Sequence, residues 1–234
     1  MVERRWSVLI VAACVAWGLL SACGRNTASP NNEERSKAPD SSAVESQATP
    51  PDTRPVVVTF GDSLTAGVAG RSYPDDLQDL LDQHGLKYRV DNQGVSGDTS
   101  TDGLARIDNV IAEHPALVIL EFGGNDGLRG TPIEATRKNL EEMMDRLKAA
   151  KVPTVLLGIT LPPNYGVDYV KPFTEMYPAL AKQYGLKFMP FLLQHVYNMP
   201  GMMQPDGIHP SGAGNRIVAQ DVFTLIGPLL AARR

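Results

Sequence analysis

Ser63, Asp206 and His209 are the residues of this 234-residue chain whose types and settings point most directly at chemistry. Ser63 lies in Gly61-Asp62-Ser63-Leu64-Thr65, directly after an apolar, β-branched run. Asp206-Gly207-Ile208-His209-Pro210 lies just ahead of a last amphipathic segment. A serine hydroxyl is a poor nucleophile unless a base removes its proton as it attacks. His209 is the natural base. Gly207 and Pro210 imply a tight loop in which Asp206, three residues earlier, faces the same way. An aspartate accepting from the imidazole Nδ1–H fixes the tautomer and stabilises the imidazolium formed during attack. Acyl transfer also builds negative charge on the carbonyl oxygen, and preorganised donors must meet it. The expected donors are the backbone N–H of Ser63, the N–H of Gly94 and the side-chain amide of Asn125, within Gly123-Gly124-Asn125-Asp126. The chemistry indicated is hydrolysis of an acyl ester by a serine nucleophile.

Each segment alone also reads as ordinary structure. Serine caps helices well, Asp-Gly and Gln-Gly form turns, and Gly-Gly-Asn-Asp suits a loop. Their joint occurrence, in this order and at strand ends, is what favours an active site.

Those strand ends follow from the apolar pattern beyond Pro55. Strands are expected at Val56–Phe60, Tyr88–Asn92, Leu117–Leu120, Thr154–Leu157 and around Leu186–Met189. Runs apolar on both faces suit a sheet covered on both sides. Helices with readable ends lie between them. Ser72 caps one entered by Pro74, with Leu77, Leu80 and Leu81 buried and Gly85 as the stop. Thr131, Pro132 and Glu134 predict a capping box before Leu140, Met143, Met144 and Leu147. Further helices are expected over about 103–112 and 170–184. A last one follows Ser211, with Ile217, Val222 and Leu225 inward. The alternation predicts one α/β domain with a parallel sheet between helices, and ligands bind such sheets outside the carboxyl ends of the strands. Leu128, Arg129, Pro162 and Tyr165 lie near such ends and are expected to line an acyl pocket.

The N-terminus reads differently. Arg4 and Arg5 precede an apolar stretch from Val8 to Leu20, the size of a signal-peptide core and short for a membrane span. It ends in Leu20-Ser21-Ala22-Cys23, which resembles a bacterial lipobox. Residues 1–23 are therefore expected to be a lipoprotein signal peptide and Cys23 the lipidated residue. Residues 24–54 lack aromatics and hold a lone valine, Val44, too little apolar surface to offset ordering entropy. They predict a flexible tether whose ends lie roughly 30 Å apart as a coil. The expected location is the bacterial cell envelope, on the periplasmic side of the outer membrane in a cell with two membranes. The anchor makes the membrane an expected partner.

Both cysteines, Cys14 and Cys23, fall in the leader, so residues 55–234 carry no disulfide and no Cys-based metal site. His84, His114 and His195 show no metal-ligand spacing; no metal and no cofactor is expected. A net charge of −4 without a basic run argues against nucleic acid. The oligomeric state is left open.

The segments Gly61-Asp62-Ser63-Leu64, Gly94, Gly123-x-Asn125-Asp126 and Asp206-x-x-His209 resemble the four blocks of the GDSL/SGNH hydrolase family. Asn92 to Thr99, Gly123 to Gly130 and Leu161 to Gly166 are similar to its bacterial branch of arylesterases and thioesterase/lysophospholipases. The resemblance spans nearly all of 55–234. It implies a flavodoxin-like three-layer α/β/α sandwich with five parallel strands and a metal-free serine mechanism. It also implies Ser63, Asp206 and His209 as triad and Ser63, Gly94 and Asn125 as oxyanion hole. The substrates implied are small acyl esters, thioesters or lipids. A carbohydrate O-acetylesterase and a non-catalytic lipid-binding envelope lipoprotein are the alternatives.

Overall fold

The structure is a computed structural model that describes residues 52–68 and 70–233. The expected signal peptide, Cys23 and the tether up to residue 51 lie outside the described residues. At the tether's end, Arg54 pairs with Asp52 at 2.7 Å and with Asp82 at 2.9 Å.

The elements run β1 (Val56–Gly61), α1 (Ser63–Ala66), α2 (Tyr73–Gln83), β2 (Arg89–Gly94), α3 (Ser100–Ala112), β3 (Leu117–Leu120) and α4 (Gly124–Leu128). Then come α5 (Ile133–Ala149), β4 (Thr154–Leu157), a 3₁₀ turn (Pro163–Tyr165), α6 (Val167–Tyr184), β5 (Lys187–Met189) and α7 (Gly212–Ala231). The strands pair in parallel in the order β2-β1-β3-β4-β5. Helix α2 packs on α7, while α3 packs on α5 and α5 on α6. This is the expected α/β/α sandwich.

Burial explains which strands the sequence shows clearly. Val57, Val58, Phe60, Val118, Ile119, Leu120, Val155, Leu156 and Leu157 are fully enclosed. Each large apolar side chain buried this way contributes about 1.5–3 kcal/mol, so the three central strands are mostly apolar on both faces, and the enclosed Thr59 donates its hydroxyl to the Asp91 carbonyl. The edge strands β2 and β5 keep solvent on one side and are only partly buried. Their sequences are correspondingly weak.

Helix ends follow their chemistry with one exception. Ser72 forms a capping box with Asp75, and Ser211 accepts the Gly214 N–H. Thr99 forms a further capping box with Asp102, so α3 starts at Ser100 rather than 103. The box expected at Thr131 is absent. Pro132 occupies the N-cap of α5 with no side-chain cap, because Thr131 is drawn away by its N–H bond to the Asp126 carbonyl and by Tyr169 Oη on its own carbonyl. Helix α7 is also turned from expectation. Val218, Val222, Ile226 and Leu230 face the core and Ile217 is exposed.

The chain order places β2 on one side of β1 and β3 to β5 on the other. A crevice therefore opens where connections leave β1 and β3 in opposite directions. Ser63 follows β1 and Asn125 follows β3.

Candidate active site

Ser63 is the first residue of α1, a four-residue helix whose N-cap is Asp62. Asp62 Oδ1 accepts the Leu64 N–H at 2.9 Å, and its carbonyl accepts from Ala66 at 2.9 Å. These bonds turn the chain sharply out of β1 and leave the Ser63 N–H without an acceptor among the described residues, as expected at a helix start.

His209 reaches this serine from the far side of the crevice. Ser63 Oγ lies 2.8 Å from His209 Nε2, and His209 Nδ1 lies 2.7 Å from Asp206 Oδ2. A carboxylate only accepts, so Nδ1 carries hydrogen and Nε2 presents its lone pair to the serine. Burial pushes the Asp206 carboxyl up, but hydrogen bonds from the His209 ring and from the N–H groups of His209 and Ile208 outweigh it. The result is a value of about 2, so Asp206 stays anionic wherever the imidazole works.

The loop holding this pair is tied from outside. Met203 and Pro210 form an antiparallel bridge; Gln204 N–H donates to the His209 carbonyl at 2.8 Å and Gln204 Nε2 to the Pro210 carbonyl at 2.9 Å. Gly207, at φ 68, makes the left-handed bend that closes the turn.

The expected donor Gly94 needs correction. Its N–H is spent on Asn92 Oδ1 at 3.0 Å, and a Cβ there would strike the Ala66 backbone. Gly94 is glycine so that the end of β2 can lie against α1. Three residues on, Gly97 has φ 87, its carbonyl accepts Arg129 Nη2 at 3.0 Å, and its N–H has no acceptor among the described residues. Gly97 is the residue the sequence reading missed. Its signal was a second glycine after Val95, beyond the strand's end.

Asn125 lines the cleft, where its amide donates to Asp62 Oδ2 at 3.1 Å and to the Asp98 carbonyl at 2.9 Å. It ties the β1, β2 and β3 ends together. Asp126 is structural, accepting the Ser100 N–H at 2.8 Å, the Ser100 hydroxyl and the Thr136 hydroxyl. Arg106 braces the same region from behind. It donates to Asp98 and to the carbonyls of Gln93 and Gly61, and stacks on Phe60 at 4.4 Å.

A cleft of about 250 Å³ opens at Ser63. Leu64, Leu128, Ile159, Leu161, Pro162, Phe191, Leu193, Tyr197 and Ile208 give it an apolar wall. Leu128 and Pro162 are where the sequence placed them. Arg129 and Tyr165 are not in the wall, since Arg129 is on the Gly97 carbonyl and Tyr165 Oη donates to the Leu128 carbonyl at 3.0 Å. The wall's other parts come from the ends of β4 and β5, which the strand-end rule points to.

The remaining histidines stand apart. His84 stacks on Phe223, and exposed His195 pairs with Asp221 at 2.8 Å. Among the described residues no group of three or more His, Cys, Asp or Glu is placed to hold a metal ion.

Residues 59–217 match the model of the GDSL-like lipase/acylhydrolase family. The chain is 42% identical over 178 residues to the esterase TesA of Pseudomonas aeruginosa, covering 74% of this chain and 89% of that one. It is 38% identical over 178 residues to thioesterase 1/protease 1/lysophospholipase L1 of Escherichia coli, covering 74% of this chain and 84% of that one. The crystal structure of TesA superposes with a TM-score of 0.70 at 41% identity, covering 74% of this chain and 99% of that one. The serine at a strand end, the histidine set against it and the sheet order are thus those of a chain that belongs to the GDSL-like lipase/acylhydrolase family.

Proposed function

We propose that this protein is a serine esterase that hydrolyses acyl esters or thioesters through an acyl-enzyme. The observation that carries the reading is the unbroken Ser63–His209–Asp206 hydrogen-bond chain, at 2.8 and 2.7 Å, opening onto an apolar cleft. The relatives named esterase and thioesterase/lysophospholipase support it. His209 takes the Ser63 proton as Oγ attacks the acyl carbon. The oxyanion meets the free N–H groups of Ser63 and Gly97; both hydrogens of the Asn125 amide, the third expected donor, are held by Asp62 and the Asp98 carbonyl, so Asn125 braces the cleft wall instead. His209 then returns the proton to the departing alcohol or thiol. Water, activated by the same imidazole, releases the acid and restores Ser63.

The cleft also indicates which half of the substrate is gripped. Among its lining side chains are Asp62 and His209, with no Lys or Arg. An acyl chain is therefore held by apolar burial, while the alcohol or thiol side faces solvent. Hydrolysis of p-nitrophenyl esters from two to sixteen carbons tests this. The expected result is kcat/KM rising with chain length and peaking at a medium chain, each well-placed methylene contributing about 1–3 kcal/mol at most. Turnover of acetate alone would transfer the assignment to sugar acetates, and no turnover at all to a lipid-binding role.

We also place the enzyme on a lipid anchor at Cys23 in the bacterial envelope, on the strength of the Leu20-Ser21-Ala22-Cys23 motif after a short apolar core. Labelled palmitate is expected to be incorporated into the wild type and not into Cys23→Ala. Equal labelling of both would remove the anchor.

A further inference from the structure

A fully enclosed carboxyl lies beneath the nucleophile and takes no part in the steps above. Glu121 follows β3 directly, and its side chain is 0% exposed. Its Oε2 accepts the Asp62 N–H at 3.3 Å and the Thr65 hydroxyl at 2.9 Å. Asp62, 2% exposed, accepts the Leu64 N–H on Oδ1 and the Asn125 amide on Oδ2. The Asp62 N–H bond to Oε2 sets the two buried residues against each other, and neither carboxyl forms an ion pair with a Lys or Arg among the described residues. Of these four oxygens, Glu121 Oε1 alone has no donor.

A carboxylate oxygen buried without a donor is costly. The same oxygen as a hydroxyl needs only an acceptor, and the Asp62 carboxylate beside it is one. We propose that Glu121 is a positioning residue that works as a neutral acid, its Oε1–H donating to the Asp62 carboxylate. This bond completes the ring of donors around Asp62, which caps α1 at Ser63 and holds the Asn125 amide. It leaves one negative charge beneath the Ser63–His209 pair instead of two.

The surroundings agree. Burial, and then the Asp62 anion, pushes the Glu121 carboxyl well above the usual carboxylate range. Burial also raises Asp62, to about 6, against hydrogen bonds from Leu64 and Glu121 and the charge of His209. The other titratable groups facing the pair are Tyr73, Tyr177 and Asp126, and burial raises both phenols, which stay neutral. Arg106 reaches this region only at the Gly61 carbonyl.

The inference rests on the esterase reading for its kinetic part, and its test has a part that does not. In the infrared spectrum of the wild type at pH 8, the carbonyl band of a protonated carboxylic acid is expected, and it is expected to vanish in Glu121→Gln. Absence of that band from the wild type overturns the proposal. In ester hydrolysis, Glu121→Gln, whose amide still donates, is expected to hold kcat within about threefold. Glu121→Met fills the space without a donor and is expected to lose about 10²-fold in kcat with KM little changed. A Gln variant that keeps the wild-type thermal transition yet falls as far as Met would show that an anion is required, and would overturn the proposal. So would a Met variant with full kcat. Labelling the wild type at Ser63 with a fluorophosphonate separates the two readings, because an unlabelled wild type condemns the esterase assignment while the infrared band still decides Glu121.

Discussion

Ser63→Ala is expected to lower kcat on p-nitrophenyl esters by roughly 10⁴–10⁶-fold, the range found when a triad member is removed. The loss is this large because no neighbouring group can replace Oγ. Thr65, the nearest other hydroxyl along the turn, is fully buried and bound to Glu121. Folding is expected to be almost untouched. The side chain's hydrogen bond is to His209, and the cap of α1 belongs to Asp62. The thermal transition is expected to move by no more than about 3 °C. Labelling by a serine-directed phosphonate should disappear with turnover. A variant that keeps turnover would sink the assignment of the nucleophile.

His209→Ala is expected to cost nearly as much, and adding it to Ser63→Ala should cost almost nothing further. The serine and its base act as one unit, so their losses do not add. What survives, roughly 10³–10⁴-fold over the uncatalysed reaction, comes from the oxyanion donors and substrate binding. An additive double variant would mean that His209 acts elsewhere. The pH dependence separates the base from its orienting partner. Asp206 is depressed to about 2, so whatever stability it contributes is present above its unfolded value of about 3.9 and is lost only as pH falls through about 2. Loss of turnover at mildly acidic pH is therefore not proton uptake by Asp206; the carboxyl beside the nucleophile that burial raises into that range, to about 6, is Asp62.

Much of this site was legible before any fold was known, and the reason is local chemistry. A capping serine or aspartate satisfies N–H groups two or three residues away, so Ser72 and Ser211 could be read from spacing alone. β3 and β4 could be read to the residue because a strand enclosed on both faces has no room for polar side chains. Asp206 and His209 are three residues apart in one loop, and their bond was readable for the same reason.

The start of α3 and the Gly94 N–H turned on bonds within three residues, but in the other misreadings a partner distant in the chain decided. Thr131 has the residues of a capping box, yet Asp126 and Tyr169 claim its backbone. Ile217 suits an inward position, but α7 is turned by its packing on α2 and buries Val218 instead. Arg129 was placed in the pocket and instead holds the Gly97 carbonyl.

The sequence by itself determined the strand–helix alternation and singled out the serine, histidine and aspartate that the fold joins by hydrogen bonds, because each is read from residue type and near-neighbour spacing. Only the tertiary structure decided which glycine keeps its N–H free of an acceptor among the described residues, since Gly94 and Gly97 differ in what lies against them and not in kind. It alone revealed Glu121 as well, because a lone glutamate after four apolar residues reads as the end of a strand until burial removes its solvent and sets it against Asp62.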